Sequence, residues 1–181
     1  MKKIREKGSY SHEHKGIKKI SWREFHDFCR HLAEKILKEN FDIIIGISEQ
    51  GLYPGTLIAG MLRKEFYPVR LTRRENDIVQ YKKPIWKVDM PDIVRNKNIL
   101  IVDEICATGE TLMLAVKRVG EKGATKIKTA VLVAHSYSRY KPHYVSLETD
   151  QLVIFPWDTQ ILVRGKWRLH PEIEEKLKPL D

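Results

Sequence analysis

Cysteine is scarce in this chain. Cys29 and Cys106 stand alone among 181 residues, too few for a disulfide framework. The fold must therefore rest on a packed core, and a reducing, cytoplasmic setting is the expectation. Long apolar runs are missing as well. No stretch reaches the about 18 consecutive apolar residues that a membrane helix needs, so no membrane association is expected. The opening segment MKKIREKGSYSHEHKGIKK is basic but has no apolar centre, so it is not expected to act as a secretory signal. Internal repeats and low-complexity linkers are absent. His12, His14, His26, His31, His143 and His170 show no metal-ligand spacing.

What remains is the composition of one globular domain, with 42% hydrophobic and 9% aromatic residues. The expected division is a basic tail over 1–19 and a single domain over 20–181. The formal charge of +9 asks for an anionic partner or merely for solubility, and seven of the Lys and Arg residues fall within 2–19. A solvated tail accounts for that excess, and nucleic acid is not the expected partner because no motif accompanies the charge.

Ser21 followed by Glu24 makes a capping box ahead of WREFHDFCRHLAEKILKEN. Trp22, Phe25, Phe28, Cys29, Leu32, Ile36 and Leu37 recur there at helical spacing. FDIIIGI (41–47) is a continuous β-branched run, as in a strand buried on both faces. The stretch 48–55 reads as a loop and TLIAGMLRKEF as a second helix. YPVRLTR (67–73) reads as a strand, and 74–97, broken by Pro84 and Pro91, as a flap or hairpin. NILIVDE is another buried strand. The helix ETLMLAVKRVGEKG follows, closed by Gly120 or Gly123. KIKTAVLVAH (126–135) and QLVIFPW (151–157) complete the strands. Strand and helix alternate, which predicts an α/β fold: a parallel sheet flanked by helices, with a small C-terminal hood. Ligands of such sheets sit at the carboxyl ends of the strands, where the segments 48–55 and 103–111 both lie.

ILIVDEICATGETL (99–112) is the most informative stretch. Asp103 and Glu104 leave a buried strand side by side. Two such carboxylates can hold a divalent cation, hydrogen-bond a diol, or do both. CATGET then enters a helix. Gly109 permits a tight turn, the free N–H groups of a helix start favour an anion, and Thr108 and Thr111 add hydroxyls. A diol-and-metal site beside a phosphate site describes a ribose 5-phosphate. A plain capped helix would explain the turn but not the acidic pair. A Walker B strand needs a Walker A partner, and GISEQGLY carries Leu52 and Tyr53 where lysine and Ser/Thr are required.

ILIVDEICATGETL resembles the phosphoribosyl pyrophosphate signature of the type I phosphoribosyltransferases. FDIIIGISEQGLYPGTLIAGML resembles their pyrophosphate loop. QLVIFPWD is similar to the base-binding segment of the short 6-oxopurine members, those acting on xanthine, guanine or hypoxanthine. The resemblance covers about 20–160. It implies a magnesium-dependent purine phosphoribosyltransferase, favouring a 6-oxopurine, with phosphoribosyl pyrophosphate as donor and a homodimer as the assembly. By that resemblance Asp103 and Glu104 hold the ribose hydroxyls, directly or through Mg2+, with Asp158 as a further metal residue. Ala107, Thr108, Gly109, Glu110 and Thr111 wrap the 5-phosphate. Ser48, Glu49, Gln50 and Gly51 meet pyrophosphate. His135, Leu152 and Val153 lie at the base, and Arg164 approaches the pyrophosphate.

The chain also departs from that pattern. Glu49 and Gln50 stand where the family's loop carries a basic residue and then a glycine, which accommodates an often cis peptide. Arg70, Arg73 and Arg74 are candidates to restore the positive charge. Ala107 replaces the aspartate near the base nitrogen, as in adenine-type members, and removes the usual proton acceptor. His135 and Leu152 replace a lysine and a stacking aromatic. Either the base differs, or the fold keeps binding as a non-catalytic sensor of phosphoribosyl pyrophosphate or a nucleotide.

Overall fold

FDIIIGI folds as expected from its lack of alternation, into a strand with both faces covered. The computed structural model describes residues 15–75, 78–170 and 173–174. Most of the basic tail lies outside the described residues. In chain order the strands and helices are β1 (Ile17–Lys19), α1 (Trp22–Ile36), β2 (Ile43–Ser48), α2 (Leu52–Leu62), β3 (Glu65–Thr72), β4 (Arg74–Glu75), β5 (Ile78–Val79), β6 (Ile85–Val88), β7 (Asn98–Cys106), α3 (Glu110–Glu121), β8 (Lys126–Ala134), β9 (Tyr144–Glu148), β10 (Leu152–Ile154), β11 (Gln160–Val163) and β12 (Lys166–Leu169). No helix among the described residues is long and apolar enough to cross a membrane. The chain divides into two compact units, with breaks after Asp27 and after Thr149.

The larger unit holds a six-stranded sheet of order β6-β3-β2-β7-β8-β9. All its pairings are parallel except β3 with β6 at one edge. Ile43, Ile45, Ile47, Ile99, Ile101 and Val131 join Leu112, Ala115 and Val119 of α3 in one buried core. On the opposite face Gly46 leaves room for α2. A Cβ there would stand 2.7 Å from the Phe66 ring, and one on Gly55 of α2 would stand 2.9 Å from the same ring. The first glycine of the Walker-like GISEQGLY is therefore a packing position inside a strand.

The segment 74–97 is in part the expected hairpin: β4 pairs β5, and β6 returns antiparallel along β3. Three expectations need correction. Helix α2 begins at Leu52, so the loop expected over 48–55 shrinks to 49–51. Strand β7 does not stop at the acidic pair but runs on to Cys106, because β8 keeps pairing with it as far as Cys106↔Ala134. The stretch 144–148 is an unexpected edge strand, half-buried except at the exposed Glu148 and without an apolar run to announce it.

In the smaller unit β1 pairs parallel with β10, and the Ile20 N–H donates to the Ile154 carbonyl at 2.9 Å. QLVIFPW is thus a three-residue strand followed by a turn, paired with the amino-terminal segment and not with the main sheet. The capping box forms as written. The Ser21 N–H donates to Glu24 Oε2 at 2.9 Å, and the Glu24 N–H to Ser21 Oγ at 3.2 Å. Phe25 packs edge-on against Trp157 at 5.1 Å, and Phe155 stacks on Trp157 at 4.8 Å. Trp22 and Leu37, counted among the apolar helical positions, are 57% and 67% exposed. A second unexpected element is the β11–β12 hairpin, turned through Arg164 (φ 49°) and Gly165 (φ 76°). Arg164 is therefore a turn residue.

Candidate functional site

Strand order creates the site. From β2 the chain moves outward to β3, then crosses back to place β7 on the other side of β2. The gap between β2 and β7 is the switch point at which open parallel sheets bind ligands. The two strands pair only as far as Gly46↔Val102. Beyond that register β2 continues to Ser48 beside Arg70 of β3, while β7 continues beside β8. The sheet splits there, and Asp103, Glu104 and the loop 49–51 border the split.

The loop is held against β7 by the absence of a side chain. A Cβ on Gly51 would stand 2.5 Å from the Ile47 carbonyl oxygen, 2.7 Å from Asp103 Oδ1 and 2.9 Å from Asp103 Cα. Only glycine allows that approach. The Ser48–Glu49 peptide bond is cis. Glu49 does not extend toward the acidic pair. Its Oε1 lies 2.6 Å from Arg70 Nη2. Of the three arginines considered for charge compensation, Arg70 makes this pair, whereas Arg73 donates through Nε to the Tyr81 carbonyl at 3.1 Å.

Asp103 is 7% exposed, and its Oδ1 accepts the Glu104 N–H at 3.0 Å. Burial first, and the neighbouring Glu104 charge second, push its carboxyl well above the usual range. An approaching cation or hydrogen-bond donor would favour the charged form of such a buried carboxyl beside a second carboxylate. Among the described residues no cluster of three or more His, Cys, Asp or Glu is poised for a metal. Two neighbouring carboxylates are still a donor set that magnesium accepts, because it habitually completes its shell with water and substrate phosphates.

The T-G-E-T turn lies at the start of α3, with Gly109 at the N-cap and φ +86°. Thr108 does not cap the helix in the ordinary way; its Oγ1 meets the Glu110 N–H only at 3.5 Å. The first N–H groups of a helix have no partner within it, so Glu110 and Thr111 offer donors to an anion. A second loop supports the turn, and the sequence did not reveal this. The Arg139 N–H donates to the Thr108 carbonyl at 3.2 Å, and the His135 N–H to the Cys106 carbonyl at 3.0 Å. A Cβ on Gly109 would stand 2.9 Å from the Tyr140 nitrogen and 3.0 Å from Ser138 Oγ. YSRYKPHY is thereby a brace for the turn. Cys106 sits 3.1 Å from Ser138 Oγ, and burial raises its thiol pKa.

His135 is 3% exposed. Its Nδ1 lies 2.5 Å from the Thr149 carbonyl oxygen and its ring stacks on Tyr137. Leu152, Val153 and Asp158 belong to the smaller unit. The first two lie on β10, and Asp158 Oδ1 lies 3.9 Å from His170 Nε2. The larger unit therefore brings together the loop 48–51, the acidic pair and the turn 107–111.

This arrangement has counterparts. Residues 21–164 match the family described as the phosphoribosyl transferase domain. An adenine phosphoribosyltransferase of Sulfurimonas denitrificans is 29% identical over 116 residues, which are 59% of this chain and 64% of that protein. The chain spans about three-fifths of the length of the curated relatives it first matches. Among solved structures, the purine phosphoribosyltransferase of Pyrococcus horikoshii superposes with a TM-score of 0.73 at 25% identity, covering 82% of this chain and 98% of that one. A Neisseria gonorrhoeae protein with bound ppGpp shares the fold, with a TM-score of 0.70 at 22% identity, covering 81% of this chain and 92% of that one. Family match, switch point and acidic strand end agree: this chain belongs to the phosphoribosyltransferase family.

Proposed function

We propose that this chain transfers ribose 5-phosphate from phosphoribosyl pyrophosphate to a purine base, releasing pyrophosphate. The observation that supports the reading is the close approach of Gly51 to Asp103, which brings the loop 49–51 directly against the acidic pair. In the reaction the bond from the anomeric carbon to the pyrophosphate oxygen breaks, and a bond to a purine nitrogen forms. Asp103 and Glu104 hold the ribose hydroxyls as positive charge builds on the sugar ring. The turn 107–111 holds the 5-phosphate through backbone donors, and Ser48 to Gly51 hold the pyrophosphate. Holding the reacting groups in position and stabilising the charge on sugar and leaving group are where such catalysis draws its rate.

Mg2+ is the proposed cofactor; Asp103 and Glu104 would hold it, with Asp158 as a further candidate. When bound it supplies positive charge to the leaving pyrophosphate. Leu152 and Val153 are the proposed base contacts. His135, with its Nδ1 beside the Thr149 carbonyl, is the third proposed base residue. A 6-oxopurine is the base suggested by QLVIFPWD. Adenine competes with it, because Ala107 suits adenine-type members and the sequence relatives are named for adenine. The proposed assembly is a homodimer in the cytoplasm.

A second reading has its own observation. Glu49 is paired with Arg70 in the loop where the family carries positive charge, and a non-catalytic regulator that binds phosphoribosyl pyrophosphate or a nucleotide would tolerate that better than an enzyme. The Neisseria protein with bound ppGpp lends this reading support.

Pyrophosphate release separates the two. Purified protein is given magnesium, phosphoribosyl pyrophosphate and one of hypoxanthine, guanine, xanthine, adenine or uracil, with Asp103→Asn/Glu104→Gln as control. Turnover with a purine, lost in the control, is expected. Tight donor binding without turnover on any base would favour the regulator.

A further inference from the structure

Glu49 and Arg70 are neighbours by construction. Ser48 and Arg70 share a register at the carboxyl ends of β2 and β3, so the residue after Ser48 emerges beside the guanidinium. The result is a 2.6 Å contact between Glu49 Oε1 and Arg70 Nη2 at the rim of the split sheet. Two features make the contact provisional. It is open to water, with side chains 63% and 40% exposed for Glu49 and Arg70, and exposed ion pairs are weak. It also leaves the guanidinium half used: the buried Arg70 Nε–H has no acceptor among the described residues. A guanidinium presents its donors as a planar fork, matched best by an anion that offers two oxygens at once. One carboxylate oxygen engages one arm of that fork and leaves Nε unsatisfied.

We propose that Glu49 is a resident anion on Arg70, displaced when a diphosphate binds, and that this pair sets the affinity and charge selectivity of the loop. The inference rests on the reading above that the loop 48–51 receives pyrophosphate. A diphosphate has more charge than a carboxylate and enough oxygens to engage both Nη2 and the idle Nε. Arg70, on the adjacent strand, then does the work of the basic residue that the loop lacks. Gly51 is locked against Ile47 and Asp103, so the loop cannot carry Glu49 away as a body. Displacement is a side-chain rotation, and the freed carboxylate remains near enough to oppose any anion that does not outbid it for Arg70. Glu49 thus acts as a filter: weakly charged anions do not open the pair, and a diphosphate does.

The test is calorimetric titration of the intact chain with sodium pyrophosphate and, separately, sodium phosphate, without base or metal. The proteins are wild type, Glu49→Gln, Arg70→Gln and the double variant, each checked by thermal melting. Arg70→Lys, which keeps the charge and loses the fork, covers the case that Arg70→Gln folds poorly. Glu49→Gln is expected to tighten pyrophosphate at least fivefold and to narrow the preference for pyrophosphate over phosphate. Arg70→Gln is expected to weaken pyrophosphate at least fivefold, with Arg70→Lys between it and wild type. In the Arg70→Gln background the gain from Glu49→Gln should shrink at least threefold. Equal pyrophosphate affinity for wild type and Glu49→Gln, within twofold, would overturn the inference. An undiminished gain in the absence of Arg70 would overturn it too. If turnover is seen in the assay above and Glu49→Gln has no effect here, the filter fails while the enzyme stands. If no protein binds pyrophosphate and none turns over, both fall together.

Discussion

A methyl group on Gly51 would stand 2.7 Å from Asp103 Oδ1. Gly51 follows β2 and Asp103 lies on β7, and their near-contact joins the loop after β2 to the acidic pair of β7. The candidate site is one structure because this gap is too narrow for any side chain.

Alanine at Gly51 is therefore expected to push loop and strand apart. Overpacking of this kind costs about 1–3 kcal/mol. The expected outcome is a modest fall in the urea midpoint together with a loss of pyrophosphate affinity of tenfold or more. The two readouts are unequal by design. If Gly51→Ala lowers stability and leaves pyrophosphate binding untouched, the loop does not depend on its seat against Asp103.

Gly109 makes the matching prediction for the other half of the site. Its φ of +86° disfavours any L side chain, and a Cβ would meet Tyr140 and Ser138. Gly109→Ala is expected to cost about 1–3 kcal/mol of stability. It should also raise KM for the donor more than it lowers kcat, because the turn is proposed to bind the 5-phosphate and stands away from the bond that breaks. Steady-state kinetics with the donor varied checks this. A fall in kcat alone would move the turn's role from binding to chemistry.

Acid should dismantle one electrostatic support of the larger unit in a defined window. Glu39, just after α1, receives Lys126 Nζ at 2.5 Å and Lys128 Nζ at 3.2 Å from β8. Hydrogen bonds from Lys126, then Tyr144, then Lys128 lower its pKa from 4.5 to about 2. A depressed carboxylate stabilises the fold above its unfolded pKa and loses that contribution as pH falls through the folded value. Wild type should therefore be more stable than Glu39→Gln at pH 6, with the difference closing between pH 4.5 and about 2. Paired urea melts at pH 6 and pH 3 measure it. A difference that is the same at both would show that Glu39 acts by packing, without its charge.

Much of this protein was legible along the chain. The apolar runs at 43–47 and 99–102 announced strands covered on both faces, and Ser21 with Glu24 announced the helix start. The acidic pair followed by T-G-E-T pointed to the family whose domain matches residues 21–164. Each of these signals lies within a few consecutive residues, where covalent geometry and local hydrogen bonding decide the outcome. Edge elements were harder to read. Strand β9 and strand β12 carry no continuous apolar run, and the Ile161–Val163 run of β11 is too short to announce a strand, because an edge or exposed strand is not enclosed by the core.

What the sequence alone determined is the alternation of elements and the acidic pair carried by β7. What only the tertiary structure decided is which distant residues meet. The strand order put the split between β2 and β7, seated Gly51 on Asp103 and set Tyr140 behind Gly109. It also turned Glu49 toward Arg70, 21 positions away, so that an unfavourable charge in the loop became half of an ion pair. Such contacts depend on strand register and packing distance across the sheet, and no window of neighbouring residues contains that information.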